Sequence, residues 1–157
     1  MIPVTRRFTL RGDCMLPLLE PGDEVWVRGG DPVAGRLIAY ARFNGRLPEI
    51  AVHRRLAGGR MRADARLACD PVDEAAAFVG RVVALSRGGR VAALESRRGR
   101  ALDAFSRLYA RTFLAAWREG VLNPLDGVLG DVPRRLLRWA ALQPPRLLFR
   151  VLFGPGP

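Results

Sequence analysis

Two residues of this chain could together carry out nucleophilic chemistry. Cys14 lies in the short stretch GDCMLP at residues 12–17, and His53 is the only histidine of the chain. All 26 basic residues are arginines, since the chain contains no lysine. Arginine keeps its proton in proteins and cannot act as a general base at ordinary pH. If Cys14 reacts with the help of a basic side chain, His53 is therefore the candidate base.

The pair would act on a carbonyl group. A thiolate is the reactive form of cysteine, and a neighbouring imidazolium stabilises it. His53 would accept the thiol proton and later protonate the leaving amine. A carboxylate on the far ring nitrogen would fix the tautomer and support the positive charge. Gly12 and Asp13 offer no side-chain hydroxyl, so we expect the backbone N–H of Cys14 to stabilise the oxyanion.

The same residues also have non-catalytic interpretations. Cys14 could be a packing residue, because cysteine is among the most buried residue types, and a carboxylate at Asp13 disfavours a thiolate. His53 could be an ordinary core or surface residue of a strand. Cys14, His53 and Cys69 could bind zinc, and the two cysteines could form a regulatory disulfide. The paired cysteine spacings of structural zinc sites are missing, and the sequence indicates no cofactor.

The length of 157 residues favours one compact domain without disulfide staples. Arginines interrupt the first apolar residues, so no signal-peptide layout is present. No run of about 18 or more apolar residues occurs, which argues against a transmembrane helix. We therefore expect a cytoplasmic protein with reduced thiols, with peripheral contact at the inner membrane face as an additional option.

Positive charge is concentrated in the C-terminal part of the chain. The net charge of the chain is +11. Residues 1–85 hold 13 arginines and 10 carboxylates, a net charge of +3, whereas residues 86–157 hold 13 arginines and 5 carboxylates, a net charge of +8. Such a field indicates an anionic partner, unless it only reflects an arginine-rich and alanine-rich composition. The absence of a helix-turn-helix motif and of an aromatic platform argues against nucleic acid.

Residues 1–95 show the pattern of a small β domain, with short apolar or alternating runs separated by glycine turns. The predicted strands are residues 8–10, 24–28, 36–42, 49–54, 61–63, 79–85 and 91–94. Asn44-Gly45 predicts a two-residue hairpin turn, and Gly88-Gly89 predicts another hairpin. The fold class is therefore mainly β, with a sheet or barrel-like core.

Residues 96–157 are predicted to form a basic, amphipathic helical extension. Apolar residues recur at helical spacing over residues 101–118, and a second helix covers residues 134–142 before Pro144-Pro145 breaks it. The first helix is expected to pack on the β core. Residues 134–153 could either pack there, with arginines reaching into solvent, or lie on a membrane surface.

Four boxes in residues 8–85 resemble those of the superfamily of type I signal peptidases and LexA-like self-cleaving repressors. They are, in chain order, GDCMLP at 12–17 with GD at 22–23, VHRR at 52–55, AD at 63–64 with Asp70, and GRVV at 80–83. Cys14 stands where the family has a serine. A histidine base in a Val-His-Arg context is similar to the archaeal and endoplasmic-reticulum branch, whereas the bacterial enzymes use lysine.

The resemblance implies a signal-peptidase-like β fold and a Cys-His-Asp endopeptidase that processes a peptide or protein precursor. Asp70 matches the family's triad aspartate, and Asp64 is the second choice. The resemblance also implies an extended peptide held beside a strand edge. Residues of the nucleophile box are the expected substrate and oxyanion contacts, namely Gly12, Asp13, Met15 and Pro17. The alternative is a catalytically inactive module on the same fold, which binds a peptide or a membrane.

Overall fold

The computed structural model describes residues 5–43, 48–66, 77–114 and 131–154. Within these residues the chain forms a seven-stranded antiparallel sheet followed by helices. The strands are β1 (Thr5–Thr9), β2 (Glu24–Arg28), β3 (Leu37–Phe43), β4 (Pro48–Arg55), β5 (Met61–Arg62), β6 (Ala77–Arg87) and β7 (Arg90–Ala93). The helices are α1 (Arg97–Tyr109), α2 (Asp131–Ala141) and α3 (Gln143–Phe153), with a π-helical turn at Ala110–Leu114 and a 3₁₀ turn at Ala57–Gly59. The prediction of a mainly β fold with a C-terminal helical extension is confirmed.

The order of the strands in the sheet is β1-β2-β6-β3-β4-β5. Strand β7 pairs with residues 84–87 of β6, beyond residues 77–81, which pair with β3. Strand β2 shows why these segments form strands: Val25 and Val27 are buried while Glu24 is exposed. This is the alternation of a sheet with one face on the core. The β6–β7 hairpin turns at Gly88 and Gly89, whose φ angles of 54° and 77° lie in the left-handed region that glycine tolerates.

The register of the β3–β4 hairpin differs from the predicted one. A two-residue turn at Asn44-Gly45 would pair residue 43 with residue 46, but Phe43 pairs with Pro48. The connection therefore comprises residues 44–47, which lie outside the described residues, and the register is shifted by two positions. Turn type and loop length set the register of a hairpin. Because the loop is longer than Asn44-Gly45 predicts, every residue of β3 faces a different residue of β4 than the predicted one.

Strands and helices share one apolar core. Leu102 of α1 and Phe149 of α3 are each 2% exposed and belong to the same cluster as the strand residues. The strand and loop members of the cluster are Met15, Leu18, Leu19, Val25, Val27, Leu37, Ala39, Val52, Val82, Leu85, Ala92 and Leu94. The change from strands to helices falls near residue 96, as predicted, but the core crosses that boundary.

Local signals explain where the helices begin. Ser96 caps α1, since its side chain accepts a 3.0 Å hydrogen bond from the backbone N–H of Gly99. A Cβ atom at Gly99 would overlap the carbonyl oxygen of Ala93, so glycine permits the close approach of α1 to β7. The break predicted at Pro144-Pro145 is present, but these prolines lie in the first turn of α3, where proline is tolerated. Among the described residues, no helix has the length and apolarity needed to cross a membrane.

Candidate active site

Cys14 and His53 line the same cleft, whose volume is about 720 Å³. The cleft lies between β1 with the loop that follows it and the first part of β4. Strands β1 and β4 are separated by three strands in the sheet order, so the sheet must coil to bring them to one cleft. The lining residues are Arg7, Phe8, Thr9, Leu10, Arg11, Gly12, Asp13, Cys14, Met15, Glu49, Ile50, Ala51, Val52, His53 and Arg66.

A tight turn holds Cys14 at the floor of this cleft. The N–H of Leu16 donates to the carbonyl of Asp13 at 3.2 Å, and the N–H of Leu19 donates to that of Met15 at 3.0 Å. The carbonyl of Cys14 itself accepts a 3.0 Å hydrogen bond from Ala65. The residues that follow Cys14 are buried in the core and act as an anchor: Met15, Leu16, Pro17, Leu18 and Leu19. The thiol is therefore presented by a fixed backbone.

The thiol of Cys14 lies against the backbone of β4. Its sulfur is 4.0 Å from the carbonyl oxygen of Val52, the residue immediately before His53. The Cys14 side chain is half-buried and packs on the edge of the apolar core. Two positions 39 residues apart in the chain are thus adjacent in one cleft.

His53 is buried in β4, with 5% of its surface exposed. Its Nδ1 is 2.9 Å from the hydroxyl oxygen of Tyr40, and the two rings meet edge to face with centroids 5.6 Å apart. The register explains this contact: Ile38 is opposite His53 and Tyr40 is opposite Ala51, so Tyr40 is the diagonal neighbour of His53.

The Tyr40–His53 hydrogen bond bears directly on the base function. If Tyr40 donates to Nδ1, the proton of a neutral ring lies on Nε2, which then cannot accept a proton. If Nδ1–H donates to the oxygen of Tyr40, Nε2 carries a lone pair and can act as a base. Tyr40 can therefore fix the ring and its tautomer. The sequence marks Tyr40 only as a core or rim residue of a strand, because a two-residue turn at Asn44-Gly45 would place it opposite Glu49 and not beside His53.

A buried ion cluster lies beneath the opposite face of β4. Arg54 is 2% exposed, and its Nε and Nη2 donate to the two carboxylate oxygens of Asp64 at 2.9 and 2.6 Å. Nη2 also donates to Asp103 of α1 at 2.7 Å, and Nη1 donates to the carbonyl of Gly35 at 2.9 Å. Burial lowers the pKa of Arg54, but the hydrogen bonds and charges of Asp64 and Asp103 outweigh it, so the pKa is raised.

The predicted site residues separate into three groups. Gly12, Asp13 and Met15 line the cleft with Cys14 and His53, as expected of substrate contacts. Pro17 is fully buried and is not among the lining residues, so its role is to anchor the turn. Asp64, the second choice for the carboxylate behind His53, has both carboxylate oxygens on Arg54.

The remaining predicted residues cannot be placed. Asp70, the first choice for that carboxylate, lies outside the described residues. Cys69 lies outside them as well, so the zinc and disulfide alternatives that involve it stay open. Within the described residues, no group of three or more histidine, cysteine or carboxylate side chains is arranged to hold a metal ion.

Two strand edges border the cleft. The described pairing of β1 is with β2 alone, which leaves its outer edge toward the cleft. Strand β4 pairs with β3 along its length but with β5 only at Arg54 and Arg55. In the described part of the chain, Ile50, Ala51 and Val52 thus have a strand partner on one side only. Edges of this kind can pair with an added extended segment.

Comparison of the chain with protein-family models, with curated proteins and with solved structures gives no match.

Proposed function

We propose that this protein is an endopeptidase in which Cys14 is the nucleophile and His53 the base. The observation that carries the proposal is the placement of both side chains on one cleft, with the Cys14 sulfur 4.0 Å from the carbonyl oxygen of Val52. The order and spacing of the boxes at residues 12–17, 52–55 and 80–83 support it independently.

The reaction follows from the chemistry of a thiol and an imidazole. His53 takes the proton of Cys14, and the thiolate attacks the carbonyl carbon of the scissile peptide bond. Backbone N–H groups of the Cys14 turn stabilise the oxyanion, and the His53 imidazolium protonates the leaving amine. Water, deprotonated by His53, then hydrolyses the thioester. This releases the acid and restores the thiol.

Tyr40 is a positioning residue in this scheme. A phenol hydroxyl carries no formal charge, so it supports the imidazolium less than a carboxylate would. Its oxygen can accept the Nδ1 proton and thereby direct the lone pair of Nε2 into the cleft. Asp70 remains the proposed carboxylate on the strength of the resemblance.

The substrate class is an extended peptide. The cleft lies between the outer edges of β1 and β4, and a segment laid there can form main-chain hydrogen bonds with both strands. The lining of the cleft includes three arginines and two carboxylates, which give a net charge of +1 if all are ionised. They are Arg7, Arg11, Arg66, Asp13 and Glu49. We propose a reducing compartment such as the cytoplasm for this activity, because a thiol nucleophile must stay reduced.

A thiol probe tests the pairing directly. Iodoacetamide labelling, followed by peptide mass mapping, compares Cys14 with Cys69 in the same molecule. We expect Cys14 to react faster near pH 7, and His53→Gln to slow it about tenfold as the thiolate fraction falls. Glu95→Gln, at a residue that does not line the cleft, is the control and leaves the labelling rate unchanged. Equal labelling of both cysteines, unaffected by His53→Gln, would contradict the proposal.

Digestion of a peptide library tests the reaction itself. Cleavage is expected from the native chain and absent in Cys14→Ala, and His53→Ala should lower kcat about 10²-fold or more. Tyr40→Phe should lower kcat with little change in KM and alter the pH profile. A structural role alone would not produce that shift in the profile.

The second candidate is a peptide-binding module without turnover. It is favoured by the cysteine at position 14, where the resemblance has a serine. Tight binding of library peptides with no cleavage by the native chain, and the same affinity in Cys14→Ala, would select this candidate over the enzyme.

A further inference from the structure

The outward faces of α2 and α3 expose large apolar side chains. On α2 the most exposed are Leu136 and Trp139, at 62% and 59%, and Leu137 is 37% exposed. On α3 they are Leu147 and Val151, which are 62% and 70% exposed. The other side of α3 buries Phe149 in the core, so the helix is apolar on two sides. Packing on the sheet therefore accounts for one apolar side and leaves the outer one unexplained.

An arginine-lined cleft adjoins these side chains. It has a volume of about 800 Å³ and lies between the β6–β7 hairpin and the helices α2 and α3. Four arginines line it, together with Trp139 and Val151, and no carboxylate is among its lining residues. The arginines are Arg87, Arg90, Arg146 and Arg150.

These arginines fall into two pairs with different roles. Arg87 and Arg146 are neutralised by the carboxylates of Glu20 and Asp23. Arg90 and Arg150 have no carboxylate partner among the described residues. The Nε of Arg90 is buried and makes no hydrogen bond in the described part of the chain, so the hydrogen-bonding capacity of this guanidinium is not used up by the protein.

We propose that this face docks on a lipid bilayer that contains anionic phospholipids, with a headgroup phosphate in the cleft beside Arg90 and Arg150. The docking face is defined by Leu136, Trp139, Leu147 and Val151 together with these two arginines. Arginine recognises phosphate, and tryptophan is enriched at the boundary between headgroups and acyl chains. The net charge of +8 in residues 86–157 complements an anionic surface.

A bilayer explains the whole face better than a soluble anion or a nucleic acid. A free phosphate would engage the arginines but give no reason for four exposed apolar side chains. A nucleic acid would use arginines and stacking rings, and Leu147 and Val151 offer neither. Basic and apolar side chains on one helical surface are typical of proteins that lie in the membrane interface.

Vesicle co-sedimentation of the full chain tests the docking. The vesicles are phosphatidylcholine alone, or an equimolar mixture of phosphatidylcholine and phosphatidylglycerol. We expect binding to the mixture and little binding to phosphatidylcholine alone, with binding weakened as salt is raised. Equal binding to both vesicle types, or no binding to either, would overturn the proposal.

Paired variants assign the binding to this face. The double variant Arg90→Gln with Arg150→Gln should weaken binding to the mixed vesicles about thirtyfold, since each arginine near an anionic surface contributes about fivefold. Arg60→Gln, an exposed arginine on the other side of the sequence boundary at residue 96, is the charge control. Equal losses in the control and in the double variant would overturn the assignment.

The apolar part has its own matched control. Leu147→Ser with Val151→Ser should weaken binding about tenfold or more, given the methyl and methylene groups removed from the interface. Leu108→Ser on α1, where Leu108 is also 62% exposed, should have little effect. Circular dichroism shows whether each variant is folded.

Two further outcomes would assign the face to another occupant and overturn the proposal. One is a change in molar mass in solution for the Leu147 and Val151 variant with vesicle binding intact, which indicates a second copy of the chain. The other is binding of inorganic phosphate that requires Arg90 and Arg150 while vesicles are ignored, which indicates a soluble anion.

Discussion

Two ion networks join the helical part of the molecule to the sheet, and they differ mainly in burial. In the first, Arg54 on β4 binds Asp64 and Asp103, and the side chains of Arg54 and Asp64 are 2% exposed. In the second, Glu20 binds Arg146 of α3 and Arg87 of β6, and these arginines are 30% and 19% exposed. Ion pairs between arginines and carboxylates therefore join helices to the sheet in both places, once in a buried environment and once in a partly exposed one.

The difference predicts unequal consequences when a partner is lost. A buried charge that loses its partner retains its desolvation penalty, whereas a partly exposed one regains water. The first network also lies directly behind His53, because Arg54 is the next residue of β4 and points to the opposite face. The buried network therefore holds the strand that presents the proposed base, while the more exposed one holds α3 beside the docking face.

The largest expected effect is at the buried network. Asp64→Asn should lower the free energy of unfolding by about 2–3 kcal/mol, because a neutral amide replaces one of the two carboxylates that pair with the buried Arg54, while Asp103 still pairs with it. Urea denaturation measures the change, and Asp31→Asn at an exposed position is the matched control. A loss below about 1 kcal/mol would contradict the view that burial separates the two networks.

A smaller effect is expected at the second network. Glu20 accepts hydrogen bonds from Arg146 at 2.5 to 3.1 Å and lies 2.8 Å from Arg87. The hydrogen bonds of Glu20, together with the charges of Glu20 and Asp23, raise the pKa of Arg146 against the opposing effect of burial. Glu20→Gln should lower the free energy of unfolding by about 1–2 kcal/mol, since the amide keeps some hydrogen bonds.

Salt sharpens this second prediction. At molar salt the Debye length is about 3 Å, and dissolved ions weaken interactions between partly exposed charges more than those between buried charges. The effect of Glu20→Gln should therefore shrink in concentrated sodium chloride, while that of Asp64→Asn stays nearly constant. The same salt response for both variants would remove the distinction between the networks.

The sequence was sufficient to locate the strands, because strand signals are local. Residues 24–28 were predicted with the bounds of β2, and the hairpin at Gly88-Gly89 was predicted from its turn residues. Alternation and glycine turns depend on neighbours a few positions away, so no tertiary information is needed. The same holds for the change from strands to helices near residue 96.

The contacts within the site were not predictable in this way. The Tyr40–His53 hydrogen bond depends on a register that Asn44-Gly45 misrepresents by two positions. The Arg54–Asp103 ion pair joins residues 49 positions apart, and nothing local selects Asp103 among the carboxylates. The pairing of Cys14 with His53 was predicted from their chemistry and from the resemblance of their boxes, and not from a local pattern. Local sequence patterns thus predict where strands and helices lie, while the packing of these elements decides which side chains contact each other.

A neutral contact between helices should have an effect similar to or smaller than that of Glu20. The hydroxyl of Tyr109 on α1 donates to the carbonyl of Ala141 at the end of α2, at 2.8 Å. Tyr109→Phe should lower the free energy of unfolding by about 1 kcal/mol. Phe is nearly isosteric, so the loss reports the hydrogen bond and not packing.

The pH dependence of this contact has a definite sign. Burial raises the pKa of Tyr109 above its ordinary value. The neutral hydroxyl is favoured in the folded state, so its contribution is complete below the unfolded pKa of about 10 and is lost as pH rises through the folded pKa. The difference between the native chain and Tyr109→Phe should therefore decrease above about pH 10. A difference that grows with pH in this range would contradict the assignment.

The smallest effect is expected where the ion pairs are most exposed. Glu95 contacts Arg81 at 2.9 Å and Arg28 at 3.6 Å, with 46% of its own side chain exposed. Glu95→Gln should change the free energy of unfolding by less than about 0.5 kcal/mol, and molar salt should abolish even that. Together with Glu20 at 10% and Asp64 at 2%, it forms a series of arginine-paired carboxylates in which burial increases from one to the next. If Glu95→Gln destabilised the chain as much as Asp64→Asn, burial would not determine the strength of these junctions.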